Sequence, residues 1–172
     1  MDRRLQKLQE EIASVVAGLS AEQLSWHPPG KWCAGEVLEH LYLTYTGTTK
    51  GFSRVIEAQK VKVTPPTWNQ RVGKLLVVGF GYMPPGRQAP PFARPRGLPT
   101  EKVLAEIELK ISEMDEMIAL CEEKLGRGKL LDHPILGPLT GAQWRKFHLV
   151  HGLHHVAQVR RLREGGGETD YR

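Results

Sequence analysis

The sequence predicts an all-α protein, a four-helix bundle with one long proline-rich loop between its second and third helices. Three observations carry this expectation. Four stretches place apolar residues at intervals of three and four, the narrow stripe of helices that pack side by side. Prolines and glycines gather between those stretches. Four of the seven histidines fall within eight residues inside the apolar seam of the last stretch, where a bundle can use them together.

The first helix is carried by Leu5, Leu8, Ile12, Val15 and Leu19, with Gly18 near its end. Ser20-Ala21-Glu22-Gln23 has the form of a capping box and opens one short turn. Trp26-His27-Pro28-Pro29-Gly30-Lys31-Trp32 cannot be helical, because consecutive prolines remove donors and hold the preceding residue extended. It reads as an ordered corner, with Trp26 and Trp32 as plugs at the end of the bundle.

The second helix starts at Cys33 or Ala34, where Cys33-Ala34-Gly35-Glu36 resembles a capping box with sulfur in the place of oxygen. Val37, Leu41, Tyr45, Thr48, Phe52 and Val55 continue it toward Lys60, and Pro65 and Pro66 break it. Trp68 to Val78 predicts a short helix with Val72, Leu75, Leu76 and Gly79 near one face. Residues 83–99 then hold six prolines in seventeen positions. They form a semi-rigid loop within the domain, either a solvated loop or a lid. Phe92 with Arg87, Arg94 and Arg96 would suit a lid over an anionic or thiol-bearing substrate, with Arg94 as a substrate-binding candidate.

Thr100 is expected to cap the third helix, with Glu101 in its first turn. Val103, Ile107, Ile111, Met114, Ile118, Cys121 and Leu125 give the clearest stripe in the chain, and Gly126 and Gly128 end it. Residues 131–139 read as a connection to Thr140-Gly141-Ala142-Gln143, a further capping box that opens the fourth helix. Gly165-Gly166-Gly167 stops that helix, which leaves residues 1–164 as one domain and 165–172 as a flexible C-terminal tail.

The totals narrow the function. An apolar fraction of 40% with 25% charged residues is ordinary for a soluble globular chain of 172 residues. No run approaches the ~20 apolar residues of a membrane span, and the first residues lack the apolar stretch of a signal peptide, so a cytoplasmic protein is expected. Cys33 and Cys121 read as two reduced thiols, Cys121 as a buried apolar residue. The net charge of +5 collects in the proline-rich loop and at the end of the last helix, where cations complement the helix dipole. No interleaved basic and aromatic pattern accompanies it, so nucleic-acid binding is not expected.

The histidines point to chemistry. A helix advances about 100° per residue, so His151 and His155 lie about 40° apart on one face, flanked by His148 and Gln158. Trp144 and Leu162 extend that stripe. His40 sits about 60° off the stripe of the second helix, on a face with Glu36 and Thr44, and can look into the bundle from the flank. Unpartnered buried imidazoles are costly, and a metal ion satisfies several at once. His40, His151 and His155 then make a three-ligand site with an open position, the pattern of catalytic metal centres. Glu36 is a tentative general base and equally a capping carboxylate; His148 is a buried hydrogen-bonded residue in preference to a fourth ligand. His154 points about 60° from His151, toward substrate or a neighbouring helix. His27 and His133, each beside a proline, are assigned surface or packing roles.

Trp26, Pro28, Pro29-Gly30-Lys31-Trp32 and Glu36-Val37-Leu38-Glu39-His40-Leu41, taken with His151-x-x-His154-His155-x-x-Gln158, resemble the DinB/YfiT-like superfamily over nearly the whole chain. The resemblance implies an up-down-down-up four-helix bundle and a homodimer. It also implies a divalent metal, zinc or nickel first, with iron, manganese or cobalt also open, on a triad that maps onto His40, His151 and His155. Relatives of that kind include thiol-dependent S-transferases and a mycothiol-dependent isomerase. Many carry an arginine-glycine-glutamine run after the paired histidines; this chain has Val156-Ala157-Gln158, so only the glutamine remains, as a partner for His155 or His151.

The expected function is therefore a metal-dependent enzyme that activates a thiol or water for a small-molecule substrate, S-transferase-like or hydrolase-like, with a low-molecular-weight thiol as one candidate co-substrate. The alternatives are a bundle that binds metal or a small ligand without turnover, and an interaction scaffold with a hydrogen-bonded histidine core.

Overall fold

Asp2 opens helix α1 (Arg3–Val16) by accepting the Arg4 N–H, and the predicted stripe of Leu5, Leu8, Ile12 and Val15 is buried along it. Burying each such side chain contributes about 1.5–3 kcal/mol. The structure is a computed structural model that describes residues 1–84 and 88–165. The expected tail therefore lies almost wholly outside the described residues, as does Arg87 of the loop.

Ser20 and Gln23 form the predicted capping box of the short helix α2 (Ala21–Ser25). At the corner that follows, Trp32 is half-buried against His40, while Trp26 stays 38% exposed and is the poorer plug. Helix α3 (Ala34–Glu57) carries the sulfur cap expected from its sequence. The Cys33 Sγ accepts the Glu36 N–H at 3.5 Å, and the Glu36 Oε2 accepts the Cys33 N–H at 2.9 Å. It ends three residues before Lys60.

Helix α4 (Trp68–Lys74) runs into a π-helical turn at Leu75–Gly79. That turn corrects the predicted face. Widening the helix to an i→i+5 bond, Phe80 N–H to Leu75 O at 3.0 Å, rotates Val77 and Val78 into the core and leaves Val72 and Leu75 exposed. Helix α5 (Thr100–Leu125) buries Val103, Ile107, Ile111, Met114, Ile118 and Cys121 as predicted. Thr100 is its first residue and not its cap: Pro99 holds the cap position, and the Thr100 side chain lies against Gly35 of α3.

Residues expected to be a plain connection form an antiparallel hairpin of β1 (Lys129–His133) and β2 (Gly137–Thr140). The protein is thus mostly helical with a small two-stranded sheet, a correction to the all-α expectation. Leu131 pairs with Leu139 and His133 with Gly137, whose φ of 69° is a conformation glycine adopts without strain. Leu130, Leu136 and Leu139 supply the apolar surface that holds the hairpin to the core.

Helix α6 (Gly141–Gly165) opens with the predicted box: Gln143 N–H to Thr140 Oγ1 at 3.2 Å and Thr140 N–H to Gln143 Oε1 at 3.1 Å. Arg145 ties it to α5, its Nε donating to Asp115 at 2.6 Å and a terminal nitrogen to Glu122 at 2.7 Å. Asp115 also accepts the Asp2 N–H, which joins the start of α1 to the same cluster. Farther along, α6 meets α1 so closely that a Cβ on Gly152 would run into the Leu8 side chain. The pairs α1 with α6 and α3 with α5 pack most extensively, and α3 also touches α6. Among the described residues no helix is long and apolar enough to cross a membrane.

Candidate metal centre

Where α3 meets α6, three imidazoles converge. His40 comes from the second turn of α3, and His151 and His155 from one face of α6. The Nε2 of His151 lies 3.2 Å from the Nε2 of His40 and 3.2 Å from that of His155. The three ligand atoms all lie within 4.8 Å of one another, so the group can hold a metal ion.

The hydrogen bonds behind these rings decide which nitrogens are bare. His40 donates from Nδ1 to the Ala93 carbonyl at 2.7 Å, and His155 donates from Nδ1 to Gln158 Oε1 at 3.0 Å. With their protons on Nδ1, both neutral rings turn a lone pair toward His151. A neutral His151 has one ring proton to offer two facing lone pairs. Further protonation is opposed: burial lowers the pKa of all three, that of His155 to about 3 and that of His151 well below the usual imidazole range. Neighbouring imidazoles push His151 and His155 in the same direction. A cation fits this donor set. Nitrogens each about 2.0–2.1 Å from one tetrahedral ion stand about 3.3 Å apart, close to the separations seen here.

The proline-rich loop is part of the centre. Its segment Pro91–Ala93 is one turn of 3-10 helix, and Ala93 is buried against α3. Glu39, the residue before His40 and itself buried, accepts the Arg96 N–H at 2.6 Å and the Gly97 N–H at 3.1 Å. Two consecutive residues of α3 therefore fasten the loop. Ala93 has no side-chain chemistry for a sequence to betray, and it went unpredicted for that reason. Arg94 donates to the Ala89 carbonyl and Arg96 to the Phe92 carbonyl, both within the loop itself.

A cavity of about 330 Å³ opens onto the three histidines. Trp32, Met83, Phe92, Leu131, Trp144 and Phe147 give it an apolar wall, and Thr44, Gly47, Thr48 and Gly51 line it from α3. His154 lines it, its pKa lowered by burial and then by Arg161. Arg94 and Arg96 do not. Neither does Glu36, whose carboxylate caps Cys33 and stands 3.4 Å from His27 Nδ1. His27, Cys33 and Glu36 bring a second set of ligand atoms within 4.8 Å of one another, but there the thiol and carboxylate already serve the start of α3.

His148 is wholly buried, and neither ring nitrogen has a partner among the described residues, so the expected hydrogen bond is absent. It stacks on Trp144 and meets Tyr45 edge-on, an aromatic role with no bond to the triad. His133 has the packing role expected of it, though on a strand and not in a loop. It stands at the end of β1, on the cavity wall, with its ring against Trp144 and Phe147.

Comparison with known proteins corrects the family. Neither a curated protein nor a solved structure matches the chain. The family model that matches, over residues 1–162, is not that of the DinB/YfiT-like superfamily which the histidine and tryptophan motifs resemble. The homodimer, the arrangement of helix directions and the thiol chemistry implied by that resemblance lose its support. With residues 1–162 of its 172 matched, the chain belongs to the family described as protein of unknown function (DUF1569).

Proposed function

We propose that the chain is a cytoplasmic enzyme that uses a divalent ion, held by His40, His151 and His155, to transform a small molecule bound in the adjoining cavity. The convergence of three imidazole nitrogens at the edge of an apolar cavity carries this reading. Three protein ligands leave a coordination position open, and neutral imidazoles suit zinc and nickel, with iron, cobalt or manganese as further choices. Such an ion supplies Lewis acidity, which brings a water or a thiol to its nucleophilic form at neutral pH. The chain's own residues do the rest. Ala93 and Gln158 hold two rings in the tautomer that leaves Nε2 free. Trp32, Phe92 and Phe147 line the approach to the reacting centre with apolar surface. His154, neutral and on the cavity wall, is the side chain placed to take up a proton, the role first assigned to Glu36. The same reading takes α1, α3, α5 and α6 as a four-helix bundle, supported by the packing of α1 on α6 and α3 on α5.

Elemental analysis of protein purified without a histidine tag tests the centre. Wild type is expected to carry stoichiometric metal and His155→Ala to lose it. Equal metal content in the two would remove the triad. Assays of the loaded protein with water-labile esters, and with low-molecular-weight thiols plus electrophiles, then separate turnover from binding alone. A loaded protein inert to every combination would favour the binding reading.

A further inference from the structure

The cavity has a second polar pole besides the three histidines. His133 accepts two backbone N–H groups at its Nδ1, from Ile135 at 3.1 Å and from Leu136 at 3.2 Å. An acceptor nitrogen carries no proton, so the proton of the neutral ring sits on Nε2. Burial lowers the pKa of this ring to about 4, which keeps it neutral at ordinary pH. Trp144 and Phe147 pack on the ring with centroids 5.2 and 4.4 Å away, so it cannot swing. The result is one N–H on a cavity-lining residue, and among the described residues the hydrogen bonds of this ring are at Nδ1, which leaves Nε2–H to be met.

The rest of the lining says what would meet that donor. Among the described residues no lysine or arginine faces the cavity, and its one carboxylate is Asp132. Asp132 spends Oδ2 on the Thr64 N–H and hydroxyl, while Oδ1 is buried without a partner. Among the described residues an anion at the His133 end loses water and meets no cationic side chain, only the Asp132 carboxylate. The hydroxyls of Thr44 and Thr48 donate to carbonyls of their own helix, which leaves them able to accept from a ligand but not to donate to one. Phe147 stands between the two poles: its ring is 5.3 Å from that of His151, nearly parallel, and 4.4 Å from that of His133. A flat molecule lying along Phe147 reaches both.

We propose that His133 is the specificity-determining residue of the cavity, its Nε2–H selecting an uncharged, largely apolar molecule that carries a carbonyl-type acceptor, with the opposite end toward the three histidines. This inference deepens the reading of the cavity as the substrate site of the metal centre and rests on that reading. It excludes carboxylates and phosphates as the group held at this pole.

The test uses the full chain after chelator treatment, so that a carbonyl has no ion to bind. Affinities for acetophenone, ethylbenzene and benzoate are read from the fluorescence of Trp32 and Trp144. Acetophenone and ethylbenzene match in size and differ by one acceptor. Acetophenone is expected to bind about five- to tenfold tighter than ethylbenzene, as one hydrogen bond allows, and benzoate weakest of the three. In His133→Phe the advantage of acetophenone disappears while ethylbenzene binding stays, which separates His133 from Gln88, His154 and the Trp32 indole, side chains on the wall that can also donate. Equal binding of the two in wild type overturns the proposal. So does an advantage that survives His133→Phe, tightest binding of benzoate, or no saturable binding of acetophenone. Should His133→Phe not fold, the imidazole proton and nitrogen resonances of wild type decide: the Nε2–H must move with acetophenone and not with ethylbenzene. Failure here leaves the metal analysis of His155→Ala untouched, and a metal-free wild type leaves this preference standing.

Discussion

His40 donates its Nδ1 proton to the carbonyl oxygen of Ala93, 2.7 Å away, and so binds the orientation of a ring on α3 to a loop fifty-three residues downstream. Loop and centre are one unit. The buried Glu39 carboxylate, which accepts the Arg96 and Gly97 N–H groups, clamps that unit from the neighbouring position.

Glu39→Ala leaves those two N–H groups without their acceptor. Expected losses are about 1–3 kcal/mol of stability and about tenfold in zinc affinity, measured by urea melts and by competition with a chromophoric chelator. Lower stability with unchanged zinc affinity would mean that the loop does not set the His40 ring.

Gln158→Ala removes the acceptor behind His155 while sparing the core. Zinc affinity should fall about 10–100-fold. The urea midpoint of the metal-free protein should move little, because Gln158 is only half-buried. A variant that binds zinc like wild type would show that the tautomer of His155 is fixed by something else.

Acid should destabilise the metal-free protein through its buried histidines, with His133 and His148 contributing beside the rings of the triad. Burial lowers the pKa of His133 to about 4 and that of His148 to about 3, against 6.5 for a free imidazole. In the window between, the unfolded chain binds protons that the folded chain refuses, so stability rises with pH. It is complete above about pH 6.5 and declines as pH falls through 5 toward 4, by about 1.4 kcal/mol per pH unit for each of the two groups. Urea melts at pH 7, 6 and 5 measure this. A flat profile would contradict the buried neutral state of both rings.

Arg145 is buried between Asp115 and Glu122, and Arg145→Ala strands both carboxylates. A loss of about 3–5 kcal/mol is expected, read in the same melts. A change below about 1 kcal/mol, the range of exposed ion pairs, would show the cluster to be solvated.

The helices were legible because burial follows periodicity: every apolar residue from Leu5 to Val15 in the first stripe, and from Val103 to Cys121 in the α5 stripe, is buried. The capping boxes at Ser20, Cys33 and Thr140 were readable for a local reason, since both partners lie within four residues. The hairpin was not. Its strands are short, and Pro134 and Pro138 mask the pattern. At the centre, helical spacing brought His151 and His155 together, and the approach of His40 from the flank of α3 was visible in its angle. The roles of Ala93 and His133 were hidden because each depends on a backbone group, and a sequence does not state where a carbonyl or an amide will point. Of the two readings of Glu36, tentative base and capping carboxylate, the structure shows the second, its carboxylate engaged at the start of its own helix.

The contact between Gly152 and Leu8 bears on how an ion would arrive. A methyl group does not fit there, so a roll of α6 about its axis would carry the side chains beside Gly152 into the leucine. Any such roll would sweep His151 and His155 off their shared target. The N-terminal helix thus acts as a stop that sets the rings beforehand, and capture of the ion becomes a docking onto a rigid frame, with its speed governed by access through the cavity mouth.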